Sequence, residues 1–351
     1  MSQSLTATPA SASGTKMFSE AAECGTVVRR QQTETSKVLE DLGAHLRRHP
    51  PTAIITCARG SSDHAATYGK YVIETQTGIP VASAAPSLSS MYKVAPHLKG
   101  CLYVAVSQSG RSPDLLSSVE AAKSGGAFVV ALCNDPSAPL TQLANLSVPL
   151  CAGPELSVAA TKSYIASIAV FLRWVSAWTQ RADLVDATES LADDLDQAFA
   201  LDWSDAVESL AAARHLYVIG RGLGLGVAQE VALKCKETCA LHAEAFSGAE
   251  VRHGPYSLLG PDFPALLLGQ NDVTRPGLAA LVPELLHRGV PTLHAGLGIR
   301  EGQELPMIER HPAAQPAIVA ASAYRMLASL SIRRGHNPDS PPHLRKVTET
   351  H

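Results

Sequence analysis

Thr52-Ala53-Ile54-Ile55-Thr56-Cys57-Ala58 runs directly into Arg59-Gly60-Ser61-Ser62, and His215-Leu216-Tyr217-Val218-Ile219-Gly220 runs into Arg221-Gly222-Leu223-Gly224. Each is a short apolar run closed by a glycine-bearing turn. Each precedes a helical pattern, from about His64 to Thr75 in one case and from Val227 to about Cys239 in the other. Placing Arg59 on Arg221 sets an offset of 162 residues (221 − 59). The same offset carries Leu102–Val106 onto Pro264–Leu268 and Gln108 onto Gln270. It also brings Ala127–Cys133 close to Gly289–Gly296. Three strand-plus-turn units in one register read as a tandem duplication.

Short apolar strands alternating with amphipathic helices are the pattern of parallel sheets covered on both faces. The expected fold is therefore α/β: two tandem, doubly wound αβα layers of the flavodoxin-like kind. Residues 1–16, rich in Ser, Thr and Ala, read as a disordered tail, and 17–50 as a helical segment ended by Pro50-Pro51. The first subdomain with its linking helices is expected over 51–200 and the second over 201–340, with 341–351 as a C-terminal tail. The link carries Ile165, Ile168, Ala169 and Leu172 on one helical stripe.

Composition narrows the function. Apolar residues make up 46% of the 351, enough for buried cores, and charged residues 17%. A formal charge of −3 gives no footprint for nucleic acid or an anionic membrane. No apolar run is long enough to span a bilayer, and the N-terminus lacks the features of a secretory signal. A cytoplasmic protein is expected. The seven cysteines are odd in number, scattered and without a C-x-x-C pair, which argues against a disulfide framework or a zinc knuckle. Cys57, Cys101 and Cys133 read as core residues, and Cys235 and Cys239 as too few ligands for a metal. Neither a metal nor a redox cofactor is called for.

In doubly wound sheets ligands bind outside the carboxyl ends of the strands. There Ser107-Gln108-Ser109-Gly110-Arg111-Ser112-Pro113-Asp114 places hydroxyls, a glycine and a helix start within eight residues. Ser112 reads as the N-cap and Pro113 as the first helical residue. Free N–H groups at a helix start favour a phosphate, so this turn reads as a phosphate cradle rather than a cap alone. Its counterpart, Gly269-Gln270-Asn271-Asp272, lacks the serines. The glycine run Gly220–Gly226 departs from dinucleotide-loop spacing, having Leu225 and Val227 where glycines belong, and reads as close strand-to-helix packing.

Glu230, Lys234 and Glu237 stand at i, i+4 and i+7 on one helical face. Such a ladder is ordinarily an exposed set of ion pairs. Here the flanks Val231, Ala232, Leu233 and Cys235 are apolar, which points to burial and to proton transfer. The loop Gly248–Pro255 adds Glu250, Arg252 and His253, the last of a type able to shuttle protons near neutral pH.

Together, ALKCKET and HAEAFSGAEVRHGP, SQSG, Val158–Lys162 (VAATK) and Leu344–Thr348 (LRKVT) resemble the sugar isomerase (SIS) family from about Phe18 to the C-terminus. They are most similar to the isomerase half of glucosamine-6-phosphate synthase and to stand-alone glucosamine-6-phosphate deaminases. The resemblance implies that Ser107, Gln108, Ser109 and Ser112, with Ser61 or Ser62, hold a sugar phosphate. It implies further substrate contacts at Val158 and Ala160, where the family motif has a serine at the latter. Glu237 takes the place of the glutamate that moves a proton between C1 and C2, with Lys234 and Glu230 in support. His253 takes that of a ring-opening histidine supplied by the neighbouring subunit, so a homodimer is implied. Lys346 takes that of a tail lysine closing over the sugar. The synthase's C-G-T-S and S-Q-S-G-E-T become RGSS and SQSGRS here. Residues 1–16 leave no room for the synthase's glutaminase domain, which favours ammonia release: glucosamine 6-phosphate and water to fructose 6-phosphate and ammonia. The alternatives are a galactosamine-6-phosphate deaminase, a fructosamine-6-phosphate deglycase, a ketose–aldose isomerase, or a noncatalytic sugar-phosphate sensor.

Overall fold

The computed structural model describes residues 10–346. Its strands are β1 (Ile54–Cys57), β2 (Val81–Ser83), β3 (Leu102–Ser107), β4 (Phe128–Cys133) and β5 (Leu146–Pro149), then β6 (His215–Gly220), β7 (His242–Ser247), β8 (Ala265–Leu268), β9 (Thr292–Ala295) and β10 (Gln303–Leu305). The first five form one wholly parallel sheet in the order β2-β1-β3-β4-β5. The second five form another, β10-β9-β8-β6-β7. Counted within its own half, each sheet is 2-1-3-4-5, the flavodoxin-like order. The duplication read from the 162-residue offset is therefore present strand for strand, β1 on β6, β3 on β8 and β4 on β9.

Two compact units divide the chain, and they do not follow chain order. The first holds Thr26–Pro154 and Ser163–Ala192; the second holds residues 10–25, Glu155–Lys162 and Asp193–Lys346. This revises the boundary expected near residue 200, and the cause lies in polar contacts inside the second unit. The buried Glu20 carboxylate, on the helix Lys16–Ala22, accepts the backbone N–H groups of Leu156 and Ser157. Asp339 accepts those of Lys16 and Met17, both at 2.8 Å. Order reaches further toward the N-terminus than composition suggested. Within the expected tail, Ala12–Gly14 forms a short 3-10 turn, and the buried Thr15 caps the following helix through the N–H of Phe18.

In the first unit, Val119, Val129, Ala131 and Leu140 are fully buried around Tyr103 and Cys57. The helix Cys24–Arg48 is tied to this body by Gln31, whose side-chain amide donates to the carbonyls of Leu150 and Ala166. The stripe Ile165, Ile168, Ala169 and Leu172 is wholly buried. In the second unit Ile219, Leu267, Leu281 and Leu285 fill one layer, and the helices Leu225–Cys239 and Gln315–Arg333 build the other. All seven cysteines are free thiols. Cys101 is only half-buried rather than core, whereas burial pushes Cys133 and Cys239 up to about 11, values of unreactive thiols. Among the described residues no helix is long and apolar enough to cross a membrane.

Candidate active site

In the first unit the strand order reverses between β1 and β3, and the turns after those two strands open at the same sheet edge. After β1, Gly60 adopts φ +55° and ψ −131°, a conformation open to glycine, and starts the helix Ser61–Thr77. Ser61 and Ser62 are thereby the first two helical residues. After β3, the Ser107 hydroxyl accepts the Gly110 N–H at 2.9 Å and folds the turn back on itself. Gly110 has φ +64°, and a Cβ there would lie 2.6 Å from that of Ala138 and 2.7 Å from Cys133 Sγ. Ser112 is the N-cap and Pro113 the first residue of the helix Pro113–Ser124, as its sequence implies, yet the Ser112 hydroxyl makes no capping bond. Ser107 is buried, and Gln108, Ser109 and Ser112 are half-buried. Two helix starts and up to five serines thus face one edge.

Two ion pairs there are not read from the sequence. Asp114 is 3% exposed and binds Arg59 through Nε at 3.1 Å and Nη2 at 2.8 Å. That pair links the two turns and cancels a carboxylate that would otherwise repel an anion. Arg111, in place of the family's glutamate, reaches Asp135 at 2.8 Å. The Asp135 carboxyl is held at about 2, by the Ser137 hydroxyl first and then by the Arg111 guanidinium. Both arginines are therefore neutralised, and the cradle offers neutral donors.

The second unit carries the titratable cluster. On the helix Leu225–Cys239, Lys234 Nζ lies 2.6 Å from Glu237 Oε2 and 3.4 Å from Glu230 Oε1. Side-chain exposure is 0% for Glu230, 1% for Lys234 and 22% for Glu237. This is no surface ladder. Tyr324, on the helix Gln315–Arg333, donates to Glu230 at 2.9 Å. Burial alone would push the Lys234 ammonium down, but Glu230 and Glu237, with Glu155, more than reverse this and raise it above its ordinary value. Lys234 is held as a cation, and Glu237 is the member of the triplet that meets solvent. Such a pair can take a proton from carbon at Glu237 and stabilise a developing oxyanion at Lys234.

The segment Glu155–Lys162 belongs to this unit as well. Val158 and Ala160 are half-buried there; the Val158 N–H donates to Asp339 O at 3.3 Å. Lys346 lies 3.0 Å from the fully buried carboxylate of Glu155. His253 follows a 3-10 turn, Glu250–Arg252, and is exposed. Among the described residues, no hydrogen bond or ion pair joins its ring to Lys234 or Glu237.

At the equivalent edge of the second sheet, Gln270 fills the turn itself. It is 1% exposed and donates to Arg221 O at 2.8 Å, Asp272 Oδ2 at 3.0 Å and Thr274 Oγ1 at 2.9 Å. A Cβ on Gly224 would stand 2.4 Å from Gln270 Oε1 and one on Gly220 2.5 Å from Gly224 O, so those glycines serve close packing.

Fold and site together define a duplicated flavodoxin-like α/β protein with a hydroxyl-lined turn in one half and a helix carrying a buried Glu–Lys–Glu triplet in the other. The SIS domain family matches residues 49–176 and 209–308, and the chain belongs to that family. It is 32% identical over 331 residues to the glutamine–fructose-6-phosphate aminotransferase (isomerizing) of Symbiobacterium thermophilum, covering 86% of this chain and 52% of the relative. The chain thus spans about half the length of the curated relatives it matches. A candidate phosphosugar isomerase from Silicibacter pomeroyi DSS-3 superposes with a TM-score of 0.89 at 36% identity, covering 93% of this chain and 100% of the other. Glucosamine-6-phosphate deaminase from Thermotoga maritima shares the fold, with a TM-score of 0.73 at 20% identity over 96% of this chain and 100% of the other.

Proposed function

We propose that this chain is a sugar-phosphate isomerising enzyme that converts glucosamine 6-phosphate and water to fructose 6-phosphate and ammonia. The observation that carries this reading is the buried Lys234–Glu237 pair, with Glu237 alone in the triplet open to a ligand. A relative named for fructose 6-phosphate and for isomerisation supports the substrate class.

Ser107, Gln108, Ser109 and Ser112, with Ser61 or Ser62, take the phosphoryl group, and that remote binding energy positions carbons 1 and 2. His253, donated by a second subunit of a homodimer, assists ring opening. Glu237 removes the C2 proton of the open-chain aldose and returns it at C1, while O1 gains a proton and the C2 amine gives one up, leaving an imine at C2. Water adds to that carbon, ammonia departs, and the ketone remains. Lys234 stabilises the negative charge that develops on O1, Glu230 supports Lys234, and Lys346, Val158 and Ala160 line the sugar. The same proton transfer serves a galactosamine 6-phosphate substrate, and its reverse, from C1 to C2, serves a fructosamine 6-phosphate, releasing ammonia and an aldose 6-phosphate.

Ammonia and ketose 6-phosphate are measured in parallel on the full chain supplied with glucosamine, galactosamine and fructosamine 6-phosphates and with glucose 6-phosphate. Equal yields of ammonia and fructose 6-phosphate from the first substrate are the expected result. Isomerisation without ammonia would replace the deaminase by a ketose–aldose isomerase. Binding with no turnover of any of them would leave a sensor.

A further inference from the structure

The second unit contains a carboxylate that the proton-transfer scheme leaves without a task. Glu155 has a fully buried side chain. Its Oε1 accepts the N–H of Thr161 at 2.9 Å, within the segment Glu155–Lys162, and its Oε2 lies 3.0 Å from Lys346 Nζ. Its charge also reaches Lys234, as one of the causes that raise that ammonium. A buried carboxylate is costly unless paired, and the Lys346 ammonium is one of the partners that offset that cost. Lys346 keeps 25% exposure and is the member of the pair that meets solvent. A second tie acts at the other end of the tail. Asp339 accepts the Val158 N–H through its carbonyl, and those of Lys16 and Met17 through its carboxylate.

From this geometry we infer that Glu155 is a positioning residue: it fixes the place of the Lys346 ammonium within the unit that carries Lys234 and Glu237. The inference rests on the proposed function only for the role of Lys346 in turnover. The docking itself stands apart from it.

Glu155→Gln keeps an acceptor for Thr161 while removing the charge, and Glu155→Asp keeps the charge on a shorter stem. Acetylation of each lysine by a water-soluble succinimidyl ester is followed by mass spectrometry in the full chain, with Lys37, whose side chain is 83% exposed, as internal reference. Lys346 should label about tenfold faster in Glu155→Gln than in the parent, with Glu155→Asp between them. Equal labelling in parent and Glu155→Gln overturns the inference. Kinetically, a misplaced group costs up to about 100-fold in rate, so kcat should fall roughly 10–100-fold in Glu155→Gln with KM little changed. Adding Glu155→Gln to Lys346→Ala should then cost nothing more. Independent, multiplying losses would reduce Glu155 to a structural residue. A parent without turnover on any sugar phosphate would remove the proposed function and leave the labelling result to decide the docking.

Discussion

The two halves build their switch-point turns from one backbone plan and fill them in opposite ways. After β3 the turn carries Ser107, Ser109 and Ser112 around a glycine and leaves the Ser112 hydroxyl uncapped. After β8 the matching turn is occupied by its own Gln270, buried and spent on Arg221, Asp272 and Thr274. The helices that follow β1 and β6 diverge likewise. One starts with Ser61-Ser62, and the other buries Glu230 and Lys234. Duplication supplied two equivalent edges; one carries a cluster of serine hydroxyls, and the other is occupied by a buried glutamine beside the helix that holds Glu230, Lys234 and Glu237. Equivalent places in the duplicated fold are thus told apart by which polar side chains stand there.

Substitutions can break that contrast. Glu237→Gln should have the largest effect, a kcat loss of about 10²–10⁴-fold with KM near the parent value, read by ammonia release. Lys234→Ala removes the cation paired with a fully buried Glu230 carboxylate and should cost about 3–5 kcal/mol in urea unfolding. Lys234 has a folded pKa above its ordinary value of 10.5. Its stabilising contribution is therefore fully present below that ordinary value and is lost only as pH rises through the higher folded one. Ser112→Ala removes a hydroxyl proposed to bind the phosphoryl group, a bond to a charged group worth about 1.5–3 kcal/mol, so affinity for inorganic phosphate and the sugar phosphate should fall roughly 10–100-fold. Stability should hold. Gln270→Ala should do the reverse, lowering the unfolding midpoint with KM unchanged. Arg111→Ala should change least. Asp135 is depressed to about 2, so the stability its pairing gives exists above the ordinary aspartate range and fades as pH falls toward that value. A small deficit at pH 7 that closes in acid is the expected outcome, followed by thermal unfolding across pH.

Much of this was legible because it is local or periodic. The 162-residue offset carried the topology, and spacings of 4 and 3 residues placed Glu230, Lys234 and Glu237 on one face. Burial of that face was foreseen from Val231, Leu233 and Cys235. The missing parts lack a local signal. His-Ala-Glu-Ala-Phe-Ser, residues 242–247, is β7 without a single β-branched residue, and its pairing with β6 makes it a strand. Tyr324 reaches Glu230 across 94 positions and Lys346 reaches Glu155 across 191. Arg59 and Asp114 are 55 apart, and neither residue type announces the other. The membership of residues 10–25 and Glu155–Lys162 in the second unit lacks a local signal for the same reason, since Glu20 and Asp339 bind segments distant in sequence.

The bond between the N–H of Lys16 and the Asp339 carboxylate spans 323 positions. On a ribosome, the opening helix of the second unit must wait for nearly the whole chain to emerge before its partner exists, while Thr26–Pro154 can already collapse around its own sheet. The second unit is thus completed last. A nascent chain halted before Asp339 would hold a finished first sheet and an unfinished second unit.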